Sequence, residues 1–388
     1  MKTTHTYTFK NAQNMAALAD ESIDLVVTSP PYPMIEMWDQ IFARQNKEIG
    51  QTLKQNDGPA AFALMHRELD KVWDELYRVL KKGGIACINI GDATRTINAH
   101  FALYTNHSRI QHYMQKLGFA ALPAILWRKQ TNAPNKFMGS GMLPPGAYVT
   151  LEHEYILILR KGNKKAFRTD NAKVNRRASA FFWEERNVWF SDVWMDLKGT
   201  TQNLFDPKTR DRSGAYPFEL PYRLITMFSV KGDNVLDPFL GMGTTMYAAM
   251  AAGRNSIGYE IDPLLKEPIV SQSAGIVEFA NQRITERLDQ HLAFVQERVA
   301  AKGPLKYVNH HYGFAVMTNQ EKDLLINQLL SVHQIDSDAF EAIHADEPQK
   351  EYIAALEAAV LSEAEKDRKK KKKSPRKRAA GHEQQLLF

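Results

Sequence analysis

Apolar positions along the chain fall into short unbroken runs separated by longer stretches with helical spacing. Ile23-Asp24-Leu25-Val26-Val27-Thr28 is one such run and ends at a double proline. Gly84 to Ile90 is a second, ending at Gly91-Asp92, and Tyr155 to Leu159 is a third, stopped by Lys161-Gly162. Asn234 to Asp237 and Ser256 to Glu260 complete the set. Between them, Phe62 to Leu80 puts Leu69, Val72, Trp73, Leu76 and Leu80 on one face, and Gly83-Gly84 predicts its stop. Thr244 to Ala252 is small and apolar and stops at Gly253. Strands apolar on both faces, alternating with helices, predict an α/β domain built on a parallel sheet.

Two stretches depart from this rhythm. Asn163 to Asp211 is basic and aromatic, with Arg168, Lys173, Arg176, Arg177, Phe181, Phe182, Trp183 and Trp189. Beyond about Ser271, Ile276, Phe279, Ile284 and Leu288 recur at near-helical spacing, and helices are expected to about Leu361. The net charge of +6 belongs to a tail: Lys366 to Arg378 holds ten Lys or Arg against one Asp, so the remaining chain is slightly acidic. Such a run repels itself, is expected to be disordered, and can track phosphates.

Composition narrows the class. No apolar stretch reaches the length of a membrane span, and Met1 to Lys10 lacks the apolar core of a signal peptide. With Cys87 alone, an internal disulfide and a cysteine zinc site are excluded, and no metal site is expected. A cytoplasmic protein is expected.

Val235-Leu236-Asp237-Pro238-Phe239-Leu240-Gly241-Met242-Gly243-Thr244-Thr245 reads as strand, glycine turn and helix start. Gly241 and Gly243 let the backbone approach a ligand, and the helix start offers free amides to an anion. A dinucleotide fingerprint needs a third glycine, and Met246 stands there. A smaller anion, the carboxylate of S-adenosyl-L-methionine, suits the turn. Glu260, about twenty positions downstream at the tip of the next strand, suits a ribose diol.

The loop Ser29-Pro30-Pro31-Tyr32-Pro33 leaves a strand with two stiff residues that donate no hydrogen bond. Together with Asp237 to Thr245 and Gly258-Tyr259-Glu260-Ile261-Asp262, it resembles the amino-methylating DNA methyltransferases of restriction-modification systems. The order, catalytic loop before cofactor turn, is similar to the permuted beta class. Glu75 to Gly84, Asp192-Val193-Trp194 and Tyr216-Pro217-Phe218 fit that class, and the match runs from about Ile23 to Asp262.

The resemblance implies a Rossmann-like fold with a mostly parallel seven-stranded sheet in circularly permuted order, plus a helical C-terminal region. It implies a catalytic half at 1–162, a target-recognition region at 163–211, a cofactor half at 212–270, a helical region at 271–362 and a basic tail at 363–388. Ser29, Pro30, Pro31 and Tyr32 are the implied catalytic residues. The Ser29 hydroxyl and Pro30 carbonyl would accept both hydrogens of an amino group, and Tyr32 would stack on a base flipped from the duplex. Asp237, Pro238, Phe239, Gly241, Gly243, Thr244, Glu260, Pro217 and Phe218 are the implied S-adenosyl-L-methionine contacts. Arg168, Lys173, Arg176, Arg177 and Lys136 are the expected DNA contacts, Lys136 from a glycine- and proline-rich loop.

Serine in the first loop position is typical of cytosine-N4 enzymes and Asp of adenine-N6 enzymes, so cytosine-N4 methylation is expected, with adenine-N6 as the alternative. A non-catalytic DNA-binding specificity subunit is the lesser alternative, since such proteins usually lose the catalytic loop and here both loops are intact. Carbon-5 chemistry needs a cysteine nucleophile, whereas Cys87 lies in a core strand. Asp92 closes the pocket or shapes a turn with Gly91; His153 and Glu154 read as structural. The expected partners are double-stranded DNA and a cognate restriction endonuclease, with no membrane. A monomer or homodimer in a prokaryotic, nucleoid-associated setting is expected.

Overall fold

The computed structural model describes residues 1–129, 138–197 and 216–353. Ten strands form one sheet: β1 (Lys2–Phe9), β2 (Ile23–Thr28), β3 (Leu80–Ile90), β4 (Phe119–Arg128), β5 (His153–Lys161), β6 (Val193–Trp194), β7 (Asn234–Asp237), β8 (Asn255–Glu260), β9 (Leu329–Asp336) and β10 (Ala339–His344). Their spatial order is β6-β4-β5-β3-β2-β7-β8-β1-β10-β9. Strands β3, β2, β7, β8 and β1 pair in parallel, while β5 runs against both its neighbours and β10 against both of its own. The seven strands from β4 to β1 are the expected mostly parallel sheet. Strand β6 and the β9–β10 hairpin extend it.

Among the helices are α1 (Gly58–Val79), α2 (Asn106–Lys116), α3 (Asp170–Ala178), α4 (Trp183–Trp189), α5 (Glu219–Phe228), α6 (Thr244–Ala252) and α7 (Ile276–Lys302), and short helices also span Asp39–Gln45, Lys47–Lys54 and Lys266–Gln272. Successive strand residues feed opposite layers: Leu25 and Val27 pack with α5 and α6, whereas Val26 packs with α1. That two-sided burial explains the unbroken apolar runs. Among the described residues no helix is long and apolar enough to cross a membrane.

Three expectations change. Gly83-Gly84 does not stop a helix: α1 ends at Val79 and the glycines lie inside β3. A Cβ on Gly83 would come 2.6 Å from the Lys165 backbone, and one on Gly84 2.9 Å from the Asp24 carbonyl, so close packing requires both. Second, the helical reading beyond Ser271 holds only to Lys302. There Gly303, at φ +76°, ends α7, and the chain goes on to strands. Residues 354–388, with the basic tail, lie outside the described residues. Third, β1 escaped the apolar pattern because its inward positions include Thr3 and His5.

Those inward polar groups form a chain. His5 Nδ1 lies 2.8 Å from Ser256 Oγ, and His5 Nε2 lies 2.9 Å from Thr3 Oγ1, which meets His344 Nε2 at 3.2 Å. Burial lowers His5 and His66 to about 3 and His344 to about 4, from an ordinary 6.5. Well above pH 6.5 all three are neutral in both states and carry no penalty. Below it the unfolded chain takes up protons that the folded chain refuses, so each histidine removes up to about 1.4 kcal/mol per pH unit. The melting temperature should therefore be level near neutrality and fall steeply from pH 6.5 towards 4, beginning before most carboxylates titrate. Thermal unfolding followed by circular dichroism checks this, and a level melting temperature down to about pH 5 would contradict it.

Candidate functional site

Every loop that matters leaves the same edge of the sheet, the carboxyl ends of β1, β2, β3, β4, β7 and β8, where the reversed β5 begins. Strands β2 and β7 are neighbours there, and the two loops read from sequence meet at one cavity of about 300 Å³. This is the crevice in which open α/β sheets bind ligands.

On one side stands the loop after β2. Met34 holds φ at +70°, a strained value for a residue with a side chain, and that side chain is buried in the α1 layer. Asn106, fully buried, donates Nδ2 to the Pro33 carbonyl at 3.1 Å and the Gly91 carbonyl at 3.0 Å, which ties the loop to the exit of β3. Gly91 is needed because a Cβ there would come 2.9 Å from the Tyr32 ring. Asp92 turns away from the cavity and accepts from the His107 backbone at 3.1 Å, with the His107 ring at 2.8 Å.

The Tyr32 hydroxyl donates to Glu154 Oε2 at 2.9 Å, accepts from Asn89 Nδ2 at 2.9 Å and lies 3.1 Å from Ser29 Oγ. Burial, reinforced by Glu154, pushes this hydroxyl well above the ordinary tyrosine range.

On the other side stands the turn after β7. Gly241 has φ +54°, and a Cβ there would meet nothing closer than the Phe239 carbonyl at 4.0 Å, so this glycine faces open space. Gly243, at φ +83°, differs: a Cβ would press on Tyr247 at 3.3 Å and Met246 at 3.4 Å, so it serves the turn and does not line the cavity. Glu260 Oε2 accepts from Gly241 N at 2.7 Å, and Oε1 from Ile261 N at 2.8 Å and Asp262 N at 2.9 Å. Burial raises its carboxyl despite these donors.

The two sides are latched beneath the cavity. Asp237 accepts from Thr28 Oγ1 and from Thr245 Oγ1, both at 2.6 Å, from Phe239 N at 3.1 Å and from Tyr216 OH at 3.4 Å. It is buried, which raises its carboxyl, and it does not line the cavity. Asp237 therefore joins β2 to β7 and α6 and is not placed to touch a ligand.

Ser29, Pro30, Pro31, Tyr32, Pro238, Phe239, Gly241, Thr244 and Glu260 all line the cavity as expected. Pro217 and Phe218 do not: Phe218 packs edge-on to Phe279 at 4.7 Å, and their neighbour Tyr216 faces the cavity instead. Glu154, read as structural, lines it together with Lys10, Trp38 and Lys129. Its signal was faint, because only the pairing of β4 with β5, with Trp127 opposite Glu154, brings it to this edge. Asn89, a lone polar residue within an apolar run, was the legible hint of a buried polar partner. Cys87 is fully buried, and burial raises its thiol, so no thiolate stands at the site.

The expected DNA-binding cations are not brought to the cavity. Helix α3, which carries Lys173, Arg176 and Arg177, is joined through Asn175 Nδ2 to the Lys231 carbonyl at 2.8 Å, beside the amino end of β7. Arg176 lies over the Phe167 ring at 4.8 Å, Arg177 pairs with Asp323 at 2.8 Å, Lys173 with Asp170 at 3.0 Å, and Arg168 is exposed nearby. The aromatic residues Phe182 and Trp189 are buried against the α7 side, so they pack and do not stack on bases. Lys136 lies outside the described residues, as do residues 198–215.

The family model described as DNA methylase, of the N6/N4 methyltransferase type, matches residues 23–272. The chain is 51% identical over 358 residues to the type II methyltransferase M.MthZI of Methanothermobacter thermautotrophicus, covering 92% of this chain and 99% of that one. It is also 51% identical over 285 residues to the type II methyltransferase M.MjaI of Methanocaldococcus jannaschii, covering 71% and 92%. Among solved structures it resembles TTHA0409 of Thermus thermophilus, a candidate DNA modification methylase in complex with S-adenosyl-L-methionine. That likeness has 31% identity and a TM-score of 0.54 over 70% of this chain and 96% of that one.

Proposed function

The chain belongs to the DNA methylase family, and within it we propose that the protein transfers a methyl group from S-adenosyl-L-methionine to the exocyclic N4 of a cytosine flipped out of double-stranded DNA. The observation that carries this reading is the convergence of the Ser29–Tyr32 loop and the Gly241–Glu260 turn, from neighbouring parallel strands, on one cavity.

The residues present fit the methyl donor. Gly241 offers a cradle that any side chain would fill. A carboxylate has about four acceptor sites, and Glu260 spends three on backbone N–H groups, which leaves one for a ribose hydroxyl. Phe239 and Ile261 supply apolar walls for a purine, and the start of α6 at Thr244 faces the anionic end. When bound, S-adenosyl-L-methionine supplies a methyl group already activated on a sulfonium. The chain's own task is then geometric: it must aim a weakly nucleophilic aromatic amine. Ser29 Oγ and the Pro30 carbonyl accept its two hydrogens, and the Tyr32 ring stacks on the base.

Ser29 in the first loop position favours cytosine over adenine. The duplex approaches the carboxyl edge, where Lys10 and Lys129 meet phosphates. Two hairpins rise there, Ala93–Ile97 with His100–Tyr104 and Met138–Gly139 with Ala147–Tyr148, and Phe101 stacks on Tyr148 at 4.5 Å between them. Arg168, Lys173, Arg176 and Arg177 stand towards the amino ends of the strands and would touch only DNA that wraps the body. A restriction endonuclease sharing the site is the proposed partner. Digestion of methylated DNA to nucleosides and mass spectrometry should show N4-methyldeoxycytidine. N6-methyldeoxyadenosine as the sole product would replace cytosine with adenine and leave the rest standing.

A further inference from the structure

Glu154 lies near the start of β5 and reaches the cavity behind Tyr32. Its Oε2 accepts from Tyr32 OH at 2.9 Å and from Asn89 Nδ2 at 2.7 Å, and its Oε1 from Lys129 Nζ at 3.1 Å. The Asn89 amide has one orientation here, because turning it over would set its oxygen against the carboxylate. A tyrosine hydroxyl has one hydrogen and two acceptor sites. Its hydrogen goes to Glu154, which has none to give, and one acceptor site takes the Asn89 N–H, at 2.9 Å. The other faces Ser29 Oγ at 3.1 Å, so Ser29 donates to Tyr32. Ser29 is thereby left with its lone pairs for the cavity, the polarity an amino group requires.

We propose that Glu154 is a positioning residue that sets the direction of this hydroxyl chain and finally receives the proton released by methylation. The inference rests on the amino-methylation reading above. The lone pair of the amino nitrogen forms the bond to the methyl carbon, and the carbon–sulfur pair returns to sulfur, which becomes a neutral thioether. The nitrogen then carries an excess proton. It passes to Ser29 Oγ as the serine proton moves to Tyr32 and the tyrosine proton to Glu154. Both hydroxyls end neutral and Glu154 ends as a carboxylic acid. Its side chain is 13% exposed, which gives that proton a way to water. The raised range of the Tyr32 hydroxyl agrees with a group that hands a proton on and does not rest as phenolate.

Single-turnover methyl transfer into unmethylated plasmid DNA tests this with Glu154→Gln, Glu154→Asp, Tyr32→Phe and the Tyr32→Phe/Glu154→Gln double variant. Calorimetry with S-adenosyl-L-methionine and thermal unfolding run alongside. Glu154→Gln should lose about 10²-fold in rate with the donor dissociation constant nearly unchanged, and its deficit should shrink as pH rises and hydroxide takes over. Glu154→Asp should recover part of the rate. Tyr32→Phe should lose a similar factor, and the double variant should be no slower than the slower single, because both cut one chain. A wild-type rate in Glu154→Gln, an unchanged pH profile, or losses that multiply in the double variant would overturn the inference. Should Glu154→Gln fail to bind the donor, the rate and pH profile of Tyr32→Phe decide in the same way. No transfer by the wild type would instead strike the amino-methylation reading.

Discussion

Ser29→Ala is expected to slow methyl transfer by about 10²- to 10³-fold, some 3–4 kcal/mol of transition-state stabilisation, while S-adenosyl-L-methionine binds as before. The reasons lie in where the hydroxyl stands. Among the described residues its one side-chain hydrogen-bond partner is the Tyr32 hydroxyl, at 3.1 Å, and Tyr32 keeps Glu154 and Asn89 when serine is removed. The fold should therefore lose no more than about 1 kcal/mol. The donor turn, held by Asp237 and Glu260, makes no bond to Ser29 Oγ. What is lost is the proposed acceptor for the amino group, whose contribution is expected only as the new bond forms. Rate measurements at saturating donor, set beside calorimetric dissociation constants, check this. Full turnover by the variant would mean that the loop has been misassigned.

Gly241→Val should weaken donor binding by at least about 100-fold, close to 3 kcal/mol, with the melting temperature lowered by only a few degrees. The protein itself has room for a Cβ at this position, since the nearest atom would be the Phe239 carbonyl at 4.0 Å. The φ of +54° costs a β-branched residue about 1–2 kcal/mol, and the branched side chain then occupies the space meant for the ligand. Gly243→Ala supplies the contrast. There the added methyl presses on Tyr247 and Met246, so the melting temperature should fall more than donor affinity does. Calorimetry and thermal unfolding on both variants separate the two roles, and equal donor affinity in Gly241→Val and wild type would remove the turn from the binding site.

Much of the site was legible because its chemistry sits in contiguous strings. Ser29 to Tyr32 and Asp237 to Glu260 each follow a strand that is buried on both faces, and such strands announce themselves as apolar runs. Glu154, Lys10 and Trp38 were not legible as site residues, since they reach the cavity from three separate segments of the chain. Strand β1 was hidden by the His5–Ser256 pairing, which puts polar side chains where an alternating pattern needs apolar ones. The β9–β10 hairpin reads as helix in sequence because Ala339, Glu341 and Ala342 are good helix formers. Only the turn at Ser337-Asp338 marked the reversal. The basic segment misled in another way. Charge and aromatic content identify a surface that could meet DNA, yet Phe182 and Trp189 went into packing, and the cations of α3 stand beside the amino end of β7.

The central claim is that the Ser29 loop methylates an amino group of one base at defined sites in DNA. Modification-detecting sequencing of DNA from cells that express either the wild-type chain or Ser29→Ala tests it most directly. Wild-type DNA should carry N4-methylcytosine at one recurrent sequence, and that signal should vanish with the variant. Carbon-5 methylation, or the same modification undiminished in Ser29→Ala, would contradict it.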